Sequence, residues 1–307
     1  LSENIAITKN LTKIYDKRIV IDNVNMTIKK GDIYGLVGKN GAGKTTIIKM
    51  LLSLTNSTSG EIELFGTSDL DEKIKLHSKI GSIVESPKFY KTLTARENLE
   101  YYRILKGIPG KECIDETLKL VGLSDVDKKK FNKFSLGMKQ RLGLALAILG
   151  SPDFLILDEP INGLDPMGIK EVREILLNLN KMKNTTILIS SHILGELSQI
   201  ANCYGFLNNG KLVEEISAKD LKDKCKHHLL VKVDDVKKAA IILEKNLGYN
   251  SYEILENERI KIYKGLDEPQ LVNKLLVEGN VGVYSLEKVS ENLEEYFINL
   301  IGGDINV

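Results

Sequence analysis

Residues Gly35–Thr46 read GLVGKNGAGKTT. An apolar run, Ile33–Val37, leads into them, and apolar residues at helical spacing follow from Ile47 to Leu52. Gly38–Thr45 fits the pattern G-x-x-x-x-G-K-[ST], whose glycines let successive backbone N–H groups turn inward on a polyanion. A helix that opens on the lysine adds the positive end of its dipole. Strand, glycine loop and helix start therefore predict a phosphate site. Lys44 is placed to reach the terminal phosphates and Thr45 to ligate Mg²⁺, with Gly38, Asn40, Gly41, Gly43 and Thr46 completing the loop. A plain glycine turn would have no use for a Lys-Thr pair at a helix N-terminus.

Outward from this loop, two further apolar strands end on polar groups. FLILD (Phe154–Asp158) runs into Glu159, and TTILISS (Thr185–Ser191) into His192. Helical spacing fits between them: Pro166–Lys181 carries an apolar stripe at Ile169, Val172, Leu176 and Leu179. Buried apolar strands alternating with helices predict an α/β fold with a parallel sheet, and functional groups at the carboxyl ends of its strands. Lys44, Asp158, Glu159 and His192 all follow such ends. Earlier segments, Ile5–Ile7 and Ile19–Ile28, alternate as strands do. Residues 87–150 are patterned as helices, with starts at Thr94, Lys111 and Ser135, and are expected to form a helical insertion. FLNNGKLVEE (Phe206–Glu215) predicts a hairpin turned on Asn209–Gly210.

A domain boundary is expected near residues 217–226, dividing the chain into 1–217 and 218–307. Beyond it the pattern reads strand Leu229–Val233, helix Val236–Leu247, strands Ser251–Leu255 and Arg259–Tyr263. Helix Glu268–Glu278, strand Val281–Leu286 and helix Glu291–Ile301 complete it. That order predicts a small α+β, ferredoxin-like domain.

Composition narrows the function classes. The 307 residues are 42% hydrophobic and 28% charged, with net charge +1. A near-neutral chain argues against a large nucleic-acid footprint. No window approaches the roughly 18 apolar residues of a membrane helix; the nearest, LGLALAILG (Leu142–Gly150), reads as a buried helix. The opening LSENIAITKN has neither an apolar core nor a basic start, so no secretory leader is expected in it. Cys113, Cys203 and Cys225 have no disulfide or metal spacing and read as reduced cytosolic thiols. The basic run DKKKFNK (Asp127–Lys133) reads as a solvated face.

In LILDEP (Leu155–Pro160), Asp158 is placed to hold Mg²⁺ through water and Glu159 to polarise an attacking water. FSLGMKQR (Phe134–Arg141) precedes this pair, NGLD (Asn162–Asp165) follows it, and SSH (Ser190–His192) comes later. Motifs of these kinds in this order resemble an ATP-binding-cassette (ABC) ATPase over roughly residues 5–216. The resemblance implies a P-loop NTPase core of mixed sheet with a helical insertion, taking ATP and Mg²⁺. It implies that Tyr15 stacks on adenine and that His192 contacts the γ-phosphate. Ser135 and Gly137 would meet the γ-phosphate of ATP held by a second subunit, and Asp165 would support that interface. Two departures stand out. The common signature reads L-S-G-G-Q and here it is Phe134-Ser135-Leu136-Gly137-Met138, with methionine in place of the glutamine. In IGSIVESP, Glu85 replaces the Q-loop glutamine and is carried over as a Mg²⁺ or water contact.

IVESPKFY, TARENL and FSLGMKQRLGLALA together resemble bacterial exporter ATPases of the bacitracin-resistance and lantibiotic-immunity type, as does the tail SLEKVSENLEEYFINLIGG. That resemblance implies an ATPase subunit that dimerises with itself or a homologue and powers a separate transmembrane permease. It would sit in the cytoplasm at the inner face of the membrane, with no nucleic acid. A permease-facing groove near Glu85–Tyr90 would use Phe89 and Tyr90. The alternative is a soluble ABC ATPase acting on ribosomes or DNA. Against it, this chain has one P-loop, one signature and no coiled-coil or zinc-hook insertion.

Overall fold

A computed structural model describes residues 4–85, 88–126, 128–225, 227–290 and 293–302. The chain divides into two compact units, Leu1–Ala218 and Lys219–Val307. In the first, strands β1 (Asn4–Tyr15), β2 (Arg18–Lys29), β3 (Ile33–Val37) and β4 (Ser59–Leu64) open the chain. They are followed by β5 (Ile80–Ile83), β6 (Phe154–Asp158), β7 (Thr186–Ser191), β8 (Cys203–Asn208) and β9 (Lys211–Ser217).

Six of these form one sheet in the order β5-β6-β7-β3-β8-β9. Its first five strands are parallel, and β9 returns antiparallel to β8. Every residue of β3, β6 and β7 is buried, as expected for strands covered on both faces. β9 is joined to β8 by Asn209 (φ 47°) and Gly210 (φ 81°), a two-residue turn with both residues left-handed. β1, β2 and β4 form a separate antiparallel sheet, order β2-β1-β4, rather than extending the parallel one. Apolar side chains from both sheets and from the helix Lys44–Leu51 share one core, including Leu11, Ile21, Leu36, Ile47, Phe154 and Leu188.

Between β5 and β6 lies the helical insertion. Its helices are Ala95–Leu105, Glu112–Leu120 and Leu136–Ile148. Thr94 caps the first with a capping box: its hydroxyl accepts from Glu97 N–H, and Glu97 accepts from Thr94 N–H. Ser135 caps the third by accepting from Met138 N–H at 3.3 Å. That third helix buries Met138, Leu142, Leu144, Ala145 and Ile148, nearly all round, so it is a core helix. Asp165 caps Pro166–Lys183, which runs two residues past the expected end and buries Ile175 in addition to Val172, Leu176 and Leu179. Ile169 is half-buried. The sequence pattern did not single out β4 or the helix Leu70–Leu76.

The second unit holds β10 (His227–Val233), β11 (Tyr252–Leu255), β12 (Arg259–Ile262) and β13 (Val283–Ser290). They form an antiparallel sheet in the order β11-β12-β10-β13. Helices Val236–Leu247 and Pro269–Glu278 connect them, and Leu293–Gly302 follows. Leu229, Val231, Leu243, Ile260, Val272 and Leu276 form its core. The expected start of the last helix, Glu291, lies outside the described residues. Among the described residues no helix is long and apolar enough to cross a membrane.

Candidate nucleotide site

The loop after β3 turns on Gly41 (φ 81°) and Gly43 (φ 112°). At Gly43 a side chain is excluded twice: by the backbone angle, and because a Cβ would stand 2.4 Å from Ile21 Cδ1. The helix Lys44–Leu51 that follows has no side-chain cap and no acid in its first turn. Its first residues line a cavity of roughly 300 Å³, and the first amides of a helix have no partner within it and so favour an anion there. Asn40, Gly41, Gly43, Lys44, Thr45 and Thr46 line that cavity, and so do Glu159 and two residues the sequence left without a role, Val20 and Asn162.

Lys44 is 5% exposed. Its Nζ donates to Gly38 C=O at 2.7 Å and lies 3.2 Å from Glu159 Oε1. Thr45 Oγ1 donates to Asp158 Oδ2 at 2.7 Å. Ser190 Oγ donates to Asp158 Oδ1, also at 2.7 Å, and accepts from Glu159 N–H at 3.0 Å. The parallel register that pairs Asp158 with Ser190 puts that hydroxyl there. Ser190 belongs to the SSH motif, but only the strand pairing assigns its hydroxyl to the acid pair.

Glu159 sits just beyond β6 with φ 49°, a left-handed angle that a non-glycine residue adopts at a cost of about 1–3 kcal/mol. Its carboxylate bridges two groups: Oε1 faces Lys44, and Oε2 is 2.7 Å from His192 Nδ1. An ionised carboxylate only accepts, so Nδ1 donates and Nε2 is left for another partner. Lys44, the acid pair and His192 thus lie in one network.

Glu85 (φ 61°) is exposed, and its carboxylate is held by Lys49 Nζ at 2.8 Å. That partner holds the Glu85 carboxyl below its ordinary value and raises Lys49. The structure engages Glu85 with Lys49, not with the Thr45–Asp158 pair. Lys49 lies one helical turn after Thr45 and also feels Asp158 and Tyr15. Tyr15 is 44% exposed at the end of β1, with Lys13 Nζ 4.6 Å from its ring centroid. Its hydroxyl shares a 3.3 Å hydrogen bond with Thr55 Oγ1.

The signature segment forms a second cavity, roughly 400 Å³, with Ser135, Leu136, Gly137, Gly163 and Asp165 in its lining. It shares no lining residue with the P-loop cavity. Leu136 is 55% exposed, while Met138 is buried in the helical insertion. The methionine that replaces the signature glutamine is therefore a packing residue here. Phe89 packs on Phe131 at 5.1 Å and on Tyr102 at 5.9 Å, and Tyr90 stands edge-on to Tyr101 at 4.8 Å. Of the expected groove, Ser86 and Pro87 lie outside the described residues.

The sequence profile of the ABC transporter family matches residues 21–162. The chain is 47% identical over 296 residues to the bacitracin transport ATP-binding protein BcrA of Bacillus licheniformis, covering 96% of this chain and 97% of that one. It is 47% identical over 207 residues to the lantibiotic transport ATP-binding protein SrtF of Streptococcus pyogenes, covering 67% and 88%. A dimeric ATP-binding cassette in a post-hydrolysis state, bound to ADP and Pi, superposes with a TM-score of 0.62 at 26% identity, covering 70% of this chain and 99% of that one.

Proposed function

The chain belongs to the ABC transporter ATP-binding proteins, and from that membership we propose that it closes on ATP against a second cassette and drives a separate transmembrane permease exporting a peptide antibiotic of the bacitracin or lantibiotic class. The second cassette is its own copy or a homologous subunit. The observation that carries the dimer is the separation of the two cavities. Ser135 and Gly137 cannot close on a phosphate in this chain's own P-loop while lining a different cavity, so a partner has to supply the phosphate. The cargo class is supported by the bacitracin relative, whose similarity runs through nearly the whole chain and so includes the second unit.

The roles follow from the geometry. Gly38, Asn40, Gly41, Gly43 and Thr46 wrap phosphate with backbone N–H groups, and Lys44 neutralises its charge. Tyr15 offers an exposed ring for the base. Thr45 and Asp158 are hard oxygen donors 2.7 Å apart. A hydroxyl and one carboxylate suit Mg²⁺, which keeps several waters and takes its remaining ligands from substrate phosphates. When bound, the ion neutralises charge on the phosphates. Glu159 accepts the proton of an attacking water, and His192, oriented through Nδ1, presents Nε2 to the γ-phosphate. Glu85, held by Lys49, stands as the Q-loop group, and Asp165 organises the signature-side interface.

We read the second unit as ferredoxin-like from its βαββαβ order and its β11-β12-β10-β13 sheet. The cassette works in the cytoplasm, held at the membrane's inner face by the permease, with Phe89 and Tyr90 at the contact. The test is a mild-detergent pull-down from native cells with mass spectrometry of what co-purifies, followed by bacitracin and lantibiotic susceptibility of a deletion strain. A stoichiometric multi-span membrane protein and raised susceptibility are expected. Ribosomal proteins or nucleic acid in its place would overturn the transporter reading.

A further inference from the structure

The basic run that the sequence marks as a solvated face does not stand alone in the fold. Residues 91–94 and 130–132 lie antiparallel, joined by two backbone hydrogen bonds and one bridge into a short ribbon that passes into a single 3-10 turn, Phe131–Lys133. Phe131 N–H donates to Leu93 C=O, Asn132 N–H donates to Lys91 C=O, and Thr94 bridges to Lys130. The ribbon gathers Lys88, Lys91, Lys128, Lys130 and Lys133, all exposed, from two stretches of chain. Phe89 packed on Phe131 staples the stretches together, so the lysines share a firm base.

Among the described residues none of the five lysines has a carboxylate within 4 Å. Two acids lie within electrostatic reach, Glu85 of Lys88 and Glu97 of Lys130. Glu85 is engaged by Lys49, and Glu97 by the Thr94 cap. Asp125 lies exposed just before the run, and Asp127 is outside the described residues. Asn132 N–H donates to Lys91 C=O, so the backbone at Lys91 lies beside the Asn132–Lys133 step. Near the ribbon stands Tyr101, 42% exposed. Amphipathic tyrosine rings suit the level of lipid headgroups.

We propose that this lysine ribbon is a docking surface for the anionic headgroups of the membrane in which the permease sits. The proposal rests on the transporter reading for its choice of occupant. The residue types support that choice. The two stretches contain lysine and no arginine. Arginine's rigid fork suits a fixed carboxylate or phosphate, whereas flexible point charges suit a fluid, laterally mobile sheet of negative charge. The whole chain carries only +1, so the attraction is confined to one face and would orient the cassette as well as hold it.

The test uses the full chain and permease-free vesicles of phosphatidylcholine with or without phosphatidylglycerol, read by co-sedimentation. Each lysine near such a surface contributes about a fivefold factor at low salt. The chain is expected to partition at least about tenfold more strongly onto the anionic vesicles. That preference should vanish as salt rises from about 0.1 to about 1 M, where the screening length falls from about 10 to about 3 Å. Replacing Lys88, Lys91, Lys130 and Lys133 together by Gln should remove at least about tenfold of the partitioning while leaving ATP hydrolysis in solution unchanged, which also shows that the variant folds. Equal partitioning onto both vesicles, or undiminished binding by the variant, would overturn the proposal. So would a wild type indifferent to lipid whose Gln variant loses the permease in lipid-free detergent, because the ribbon would then dock protein. Since the vesicles hold no permease, a negative result beside a positive pull-down sinks this inference alone.

Discussion

Ser190→Ala tests the arrangement of the acid pair most directly. Ser190 is fully buried, and its hydroxyl touches both acids' residues, donating to the Asp158 carboxylate and accepting from the Glu159 amide. A hydrogen bond to a charged group contributes about 1.5–3 kcal/mol, and a buried donor left without a partner costs about 1–3 kcal/mol. The two terms belong to one small network and overlap, so about 2–4 kcal/mol is the expected loss of stability. For a unit of this size each kcal/mol moves Tm by about 2–4 °C, which gives a drop of about 5–15 °C by scanning calorimetry. Turnover should fall further than stability alone requires. A misplacement of about 1 Å at a catalytic group costs on the order of a hundredfold, and both acids lose their anchor. KM for ATP should move less than kcat, because Ser190 reaches the P-loop only indirectly, through Asp158 and Thr45. Ser191→Ala is the control: its hydroxyl accepts from Ile193 N–H, away from the acids. A Ser190→Ala enzyme with kcat within about twofold of wild type and an unchanged Mg²⁺ requirement would refute the claim that this hydroxyl positions the pair.

Glu159→Gln should bind ATP, hydrolyse it about 10²–10⁴ times more slowly, and accumulate as an ATP-bound dimer on size exclusion; wild-type turnover would remove Glu159 as the base. Deleting residues 219–307 should leave nucleotide affinity unchanged, measured by fluorescence of a labelled ATP analogue on a truncation shown to be folded by circular dichroism. Thr94 N–H and hydroxyl hold the Glu97 carboxyl below its ordinary 4.5. A depressed folded value means that the stability Glu97 contributes is present above pH 4.5 and lost as the pH falls below it through the folded value. Glu97→Gln should therefore flatten the acid limb of a Tm–pH profile; an unaltered limb would show that the capping box carries no such linkage.

Much of the fold was legible because its signals are local. Thr94 and Ser135 cap helices where a hydroxyl precedes an apolar-periodic run, and Asn209–Gly210 turns a hairpin because both positions need left-handed angles. The buried strands β3, β6 and β7 read as unbroken apolar runs. Other elements carried no such signal. The helix Leu70–Leu76 is too short for a sustained period and buries none of its residues, and β4 is exposed over half its length. That β1 and β2 join β4 in a sheet of their own depends on pairing across some fifty residues, which alternation within one strand does not encode.

The same division holds at the site. The sequence alone determined the chemistry: a glycine loop before Lys44 and Thr45, an acid pair after one apolar strand and His192 after another, because backbone angles, helix dipoles and strand ends are properties of neighbouring residues. Only the tertiary structure decided which of those groups meet. It put Ser190 between Asp158 and Glu159, joined Glu159 to both Lys44 and His192, and gave Glu85 to Lys49. It also folded Met138 inward and raised the scattered lysines onto one ribbon. Those outcomes turn on strand register and on side-chain partners brought together from distant parts of the chain, and a residue's own neighbourhood holds no record of either.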